Sequence, residues 1–153
     1  MVASNPPTQV SATTLYETDF MAWCEAQADL LRTQNYSQLD RVHLLEELED
    51  MGREQFRKTR SWVRQIIIHI LKIQTFPHDQ ACNHWRGELV AFQDDLEDVV
   101  SGSIRYRFEQ QDEFSIQQQK SLRQLNKKYP NTTFQPLENM SLDELIHWSE
   151  EDC

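Results

Sequence analysis

The chain has 153 residues, 39% hydrophobic and 26% charged, which suits one compact domain with a real core and requires no second domain. With only 3 Gly and 5 Pro among many Glu, Gln, Leu and Arg, the composition predicts an all-α fold, a single-domain helical bundle built around a long helical hairpin. No stretch approaches the roughly 20 uncharged apolar residues of a membrane span, and the formal net charge of −10 repels nucleic-acid phosphates while leaving basic proteins as partners.

Residues 1–14, "MVASNPPTQVSATT", carry neither a basic n-region nor an apolar h-region. They read as a disordered lead rather than a signal peptide, ahead of a helical domain over 15–150. A first helix is predicted over 18–32, with Thr18 as N-cap before Asp19 and with Phe20, Cys24, Gln27 and Leu31 on one face beside Trp23 and Leu30. That pattern puts Cys24 in the core as an inert thiol. Ser37 or Asp40 caps a second helix over 40–51, whose Leu44, Leu45, Leu48 and Met51 form a stripe ending at a break or kink at Gly52. A third runs over 53–75 and stops before Pro77, because the residue preceding a proline avoids the helical region.

The fourth, over 83–100, has the cleanest pattern, with Trp85, Leu89, Phe92, Leu96 and Val99 at spacings of 4, 3, 4 and 3. Asn83 is its expected cap and Gly102 its expected end. Between 103 and 128 the pattern weakens, predicting helix broken near Phe114. After the turn residues "YPNTTFQP", "SLDELIHW" predicts a short helix with Ser141 as N-cap and Glu144 at the capping-box position, docked through Leu142, Leu145, Ile146 and Trp148. Cys24, Cys82 and Cys153 cannot all pair within the chain and lack metal-ligand spacing, which points to a reducing, cytoplasmic compartment.

Taken in order, "LYETDFMAWCEAQADLLR", "LLEELEDMGREQ", "HILKIQ" and "HWRGEL", followed by a leucine-rich acidic terminal helix, resemble the bacterial, mainly cyanobacterial, family catalogued as domain of unknown function 29. The resemblance runs from about Leu15 to Trp148. It implies an all-helical, soluble, single-domain protein and brings no established activity. The family pattern has Trp where this chain has Ile73, so the resemblance implies no stacking role there.

Candidate chemistry centres on "IIIHILK", residues 66–72. At about 100° per residue, Trp62, Val63, Ile66, Ile67, Ile70, Leu71 and Ile73 cover one half of the third helix. His69 falls at the rim of that arc and Lys72 further into solvent. The bland reading of His69 is a half-buried histidine with an ordinary hydrogen-bond partner. If the third and fourth helices form an antiparallel hairpin around "TFPHDQAC", facing residue numbers sum to about 156. That register brings Trp85 and Arg86 to His69, and His84 to Lys72, making His69, Lys72, His84, Trp85 and Arg86 a candidate anion or carboxylate site.

The same register sets Asp94, Asp95 and Asp98 against the basic stripe Arg53, Arg57, Arg60 and Arg64, predicting interhelical ion pairs such as Arg60 with Asp95 rather than a phosphate-binding face. "HLLEELED", residues 43–50, gathers carboxylates on neighbouring helix faces. A di-metal bundle would require Glu-x-x-His motifs on facing helices, whereas here His43 precedes Glu46. The segment reads as a charged face, with Glu49 reaching Arg53, and Glu46, Glu47, Glu49 and Asp50 are the candidate interaction residues. No nucleophile elbow or glycine-rich phosphate loop occurs, Cys82 has only His78 or His84 as a nearby base, and no motif calls for a cofactor or a metal. The expected function is therefore non-enzymatic: an acidic adaptor or neutraliser, antitoxin-like, binding a basic protein such as a toxin or nuclease. Homodimerisation stays open, and the alternative is an anionic-ligand binding domain or enzyme using His69, Lys72 and Arg86.

Overall fold

The computed structural model describes residues 12–150, which contain seven α-helices and, among the described residues, no strand. They fall into two compact units, one up to Gly52 and one from Arg53 on. No helix among them is long and apolar enough to cross a membrane. Most of the expected N-terminal lead, residues 1–11, lies outside the described residues, and Cys153 does too.

The first unit comprises α1 (Ala12–Thr18), α2 (Phe20–Arg32), a single 3-10 turn (Tyr36–Gln38) and the opening of α3 (Arg41–Thr75). Helix α1 had no counterpart in the sequence reading, and Thr18 is its last residue rather than a cap. The cap of α2 is Asp19, whose side chain accepts a hydrogen bond from the Ala22 amide at 3.1 Å. Helix α2 ends in a Schellman motif: the Asn35 amide bonds Leu30 O and the Gln34 amide bonds Leu31 O, with Gln34 in the left-handed region at φ 57°.

Of the two candidate caps for α3, Asp40 does the capping, its Oδ1 accepting from the His43 amide at 3.4 Å, while Ser37 sits within the 3-10 turn. Helix α3 then runs without interruption through Gly52, correcting the predicted break. A single interior glycine costs only about 1 kcal/mol relative to alanine, too little to end a helix of 35 residues.

Burial in this unit also departs from the apolar pattern. Trp23 and Gln27 are the buried residues of α2, Cys24 is half-buried rather than core, and Phe20 and Leu31 are exposed. On α3, Leu44 is half-buried while Leu45, Leu48 and Met51 are exposed. The cause is a polar and aromatic corner that fixes which faces meet. Trp23 Nε1 donates to Asp40 Oδ2 at 3.3 Å, and Gln27 Oε1 accepts from the Asp40 amide at 2.8 Å. The Tyr16 ring stacks on His43 at 3.9 Å.

The second unit continues with α3 to Thr75, then α4 (Cys82–Val99), α5 (Gly102–Gln110), α6 (Glu113–Lys128) and α7 (Leu142–His147). Its core is the isoleucine arc of α3 (Ile66, Ile67, Ile70, Leu71 and Ile73) packed with Leu89, Leu96, Phe108, Leu125 and Leu145. Ala81 is the N-cap residue of α4, without a side-chain bond, and Asn83 lies inside the helix. Helix α4 ends at Val99, so Gly102 opens α5 instead of closing α4, with Ser101 capping through the Ile104 amide. The predicted break near Phe114 falls just before it, at Gln111 and Asp112, where Asp112 takes φ 49°.

Helix α7 forms the predicted capping box between Ser141 and Glu144 and buries Leu142, Leu145 and Ile146, with Trp148 buried just beyond its end. Its C-terminal carbonyls would be orphans in this setting. Gln93 of α4 satisfies two of them, Nε2 donating to Leu145 O at 2.9 Å and to Trp148 O at 3.0 Å.

Candidate functional site

Helices α3 and α4 are antiparallel. His69 Nε2 lies 2.9 Å from Glu88 Oε2, and one turn further along α3 the Lys72 ammonium sits 4.2 Å above the Trp85 ring, one turn earlier on α4. This register is one residue from that predicted. His69 and Lys72 are both buried, which corrects the rim and solvent positions expected for them. Lys72 lays its alkyl stem along the hairpin and its charge on the indole face, where cation–π attraction compensates for part of the lost water.

Two contacts fix the orientation of the His69 ring. Nδ1 is 2.7 Å from the Gln65 carbonyl oxygen, and Nε2 faces the Glu88 carboxylate. An oxygen therefore stands at hydrogen-bond distance from each ring nitrogen, which leaves the imidazole no unpartnered polar atom inside the hairpin. The hydrogen bond from His69 holds the Glu88 carboxyl below its usual range against the opposing effect of burial, and the charges of His69, His84 and Lys72 add to it. His84 Nε2 stands 3.4 Å from the other Glu88 oxygen.

Because the folded carboxyl is depressed, Glu88 contributes stability that is present above the usual glutamate range. That contribution is lost as pH falls through the lowered value. Acid unfolding of Glu88→Gln should therefore show a shallower loss of stability on the acid side than the parent; identical acid limbs in urea titrations across that range would contradict the pairing.

Arg86 does not join this cluster. Its Nε and Nη2 grip Glu150 at 2.6 and 2.9 Å, and Nη1 donates to Asn83 at 2.8 Å. One residue beyond Trp85, it is turned by about 100° around α4, which carries it away from His69. In its place the structure supplies Glu88 and, from the last turn of α6, Lys128. With His69, Lys72, His84 and Trp85 they line an open cavity of about 340 Å³. Glu88 was within reach of the hairpin register, being the residue opposite His69, whereas no sequence pattern pairs α6 with α3.

The arginine stripe meets α6 and not α4. Arg60 Nη1 bonds Glu113 Oε1 at 3.1 Å, Arg64 donates twice to Gln117 Oε1, at 3.1 and 2.8 Å, and Gln117 Nε2 donates to Glu113 at 2.8 Å. Arg57 pairs with Glu54 on its own helix. Asp94, Asp95 and Asp98 are exposed, so the predicted Arg60–Asp95 pair does not form. The α4-facing side of α3 is the isoleucine arc, and the arginines lie around the helix from it.

In the first unit, the acidic segment serves the corner described above. His43 Nδ1 is 2.6 Å from Asp40 Oδ2, and Glu47 accepts from the Tyr16 hydroxyl at 2.6 Å, which pushes the Tyr16 pKa up to about 12. Burial raises the Asp40 carboxyl, but the hydrogen bonds from His43 and Trp23 overcome it and hold the group below its usual range. Glu47 is thus half-buried and engaged, leaving Glu46, Glu49 and Asp50 as the exposed members of the expected interaction face. A Glu-x-x-His sequence does occur at Glu144–His147, but Glu144 is spent on the cap and His147 Nδ1 faces the Asp143 carbonyl. Among the described residues no group of three or more His, Cys, Asp or Glu is placed to hold a metal. Cys82 is buried in the core.

A crystal structure at 1.45 Å of an alpha-helical protein of unknown function from Rhodospirillum rubrum is similar to this chain, with a TM-score of 0.58 and 26% identity over 86% of this chain and 89% of that one. Comparison with curated proteins gives no match. A family model matches residues 15–149, and on that match the chain belongs to the family described as domain of unknown function DUF29.

Proposed function

We propose that the protein is an interaction module that docks a basic amphipathic helix of another protein onto the first stretch of α3. One observation carries the reading: Val42, Leu45, Leu48 and Met51 are 66%, 59%, 66% and 68% exposed. Spaced three apart, they form a continuous ridge winding along the helix. Large apolar side chains left wet in a contiguous row mark an interaction surface, since covering them returns roughly 25 cal/mol per Å².

Charge selects the occupant. The residues up to Gly52 hold nine carboxylates against two arginines, so they account for −7 of the formal −10. Glu46, Glu49 and Asp50 lie along one side of the ridge. A helix with apolar residues flanked by Lys and Arg matches both features, whereas a second copy of the same acidic face would be repelled. An adaptor or neutraliser of a basic protein in the cytoplasm fits this chemistry. The free thiols of Cys24 and Cys82 support a reducing compartment.

The test is titration with two synthetic amphipathic helices, one of Leu and Lys and one of Leu and Glu. The account expects saturable binding of the Lys peptide alone, weakened by salt and reduced at least about tenfold by Leu45→Asn with Leu48→Asn. Equal binding of the acidic peptide, or a double variant that binds as the parent does, would overturn it.

A further inference from the structure

We propose that the cavity between α3, α4 and α6 binds the phosphate group of a small phosphomonoester, with Lys72 and Lys128 as its charged donors and His84 at its edge. This site is in the second unit and does not depend on the docking surface of the first.

The starting point is Lys72. It is 8% exposed, and its ammonium rests on the Trp85 ring at 4.2 Å rather than on a carboxylate. Glu88, the acidic residue lining the cavity, already has its two oxygens facing His69 and His84 at 2.9 and 3.4 Å. A nearly buried lysine without a carboxylate counter-charge within salt-bridge distance among the described residues is an incomplete arrangement, because an indole face offsets only part of the lost hydration. Burial is the main cause pushing the Lys72 pKa down; Glu88 and Asp79 oppose it and the neighbouring Lys128 charge adds to it. An anion placed against both lysines would reverse that balance.

The charge count indicates what kind of anion. Glu88 is taken up by His69 and His84, which leaves the ammonium groups of Lys72 and Lys128 as two positive charges lining the cavity. A phosphomonoester near neutral pH carries about −1.5 to −2. No arginine lines the cavity, so its charged donors are lysine ammonium groups, which bind phosphate as point charges from two different helices, α3 and α6. Gln65 of α3 and Gln124 of α6 also line the cavity and can supply neutral amide donors. A volume of about 340 Å³ leaves room for a small organic group beside the phosphate.

The experiment is calorimetric titration of the full chain with glycerol phosphate, inorganic phosphate and succinate in a non-phosphate buffer, on the parent and on Lys72→Met and Lys128→Met. The expected result is saturable binding of glycerol phosphate, weaker binding of inorganic phosphate and no binding of succinate, with each variant weakened at least about tenfold. Lys128 is exposed, so Lys128→Met leaves the core untouched and keeps the test valid if Lys72→Met melts early. Binding of inorganic phosphate as tight as that of the ester would remove the organic part of the claim. Succinate binding as tightly as phosphate, affinity unchanged in Lys128→Met, or no saturable binding in the millimolar range would overturn it.

Discussion

Replacing Arg60 by methionine should cost about 3 kcal/mol of folding stability, more than replacing its partner. In the Arg60–Glu113 pair the carboxylate side chain is 2% exposed and the arginine 35% exposed. Removing the arginine leaves a buried carboxylate that, among the described residues, keeps the Gln117 amide as its side-chain donor. Removing the charge by Glu113→Gln leaves a guanidinium that can turn toward water, and should cost closer to 1 kcal/mol. Urea denaturation of the two single variants decides the order, and a Glu113→Gln variant less stable than Arg60→Met would show that the pair is not asymmetric in the way its burial indicates.

Gln93→Met should have an effect of similar size and a more local one. The methionine fills the same space but donates nothing, so the carbonyls of Leu145 and Trp148 lose their shared partner inside the core. Two stranded carbonyls cost roughly 2 to 4 kcal/mol. Because they belong to the end of α7, amide exchange should accelerate first over Leu142–His147 while α3 and α4 keep their protection. Uniform acceleration across the second unit would mean that α7 has no separate dependence on Gln93.

What was legible in the sequence follows from what kind of force placed each residue. The isoleucine arc, the antiparallel pairing of α3 and α4 to within one residue and the α7 capping box were readable because apolar periodicity and local capping act over a few residues. The corner of the first unit was not. There Trp23, Gln27, Asp40 and His43 choose the buried faces through hydrogen bonds, so Cys24, read as core, is only half-buried, and Leu45 and Leu48 of the apolar stripe are exposed. Arg86 was misplaced because a terminal residue, Glu150, captures it. Lys128 and Glu113 were missed because their partners on α3 lie more than fifty positions away in sequence, a separation that no short pattern encodes.

The same limit explains why the acidic segment reads as one charged face in the sequence. Its carboxylates fall into two groups once folded. Asp40 and Glu47 are held by His43, Trp23 and Tyr16, while Glu46, Glu49 and Asp50 border the exposed ridge. The interaction reading therefore rests on the ridge and on the charge around it, and the pattern of carboxylates adds nothing by itself.

The most direct measurement is amide hydrogen exchange of the full chain with and without the Leu and Lys peptide. Docking on the ridge predicts slower exchange over residues 42–51 in the presence of peptide, with the helices from Arg53 on little changed. Protection confined to the second unit, or an unchanged pattern over 42–51 at saturating peptide, would contradict it.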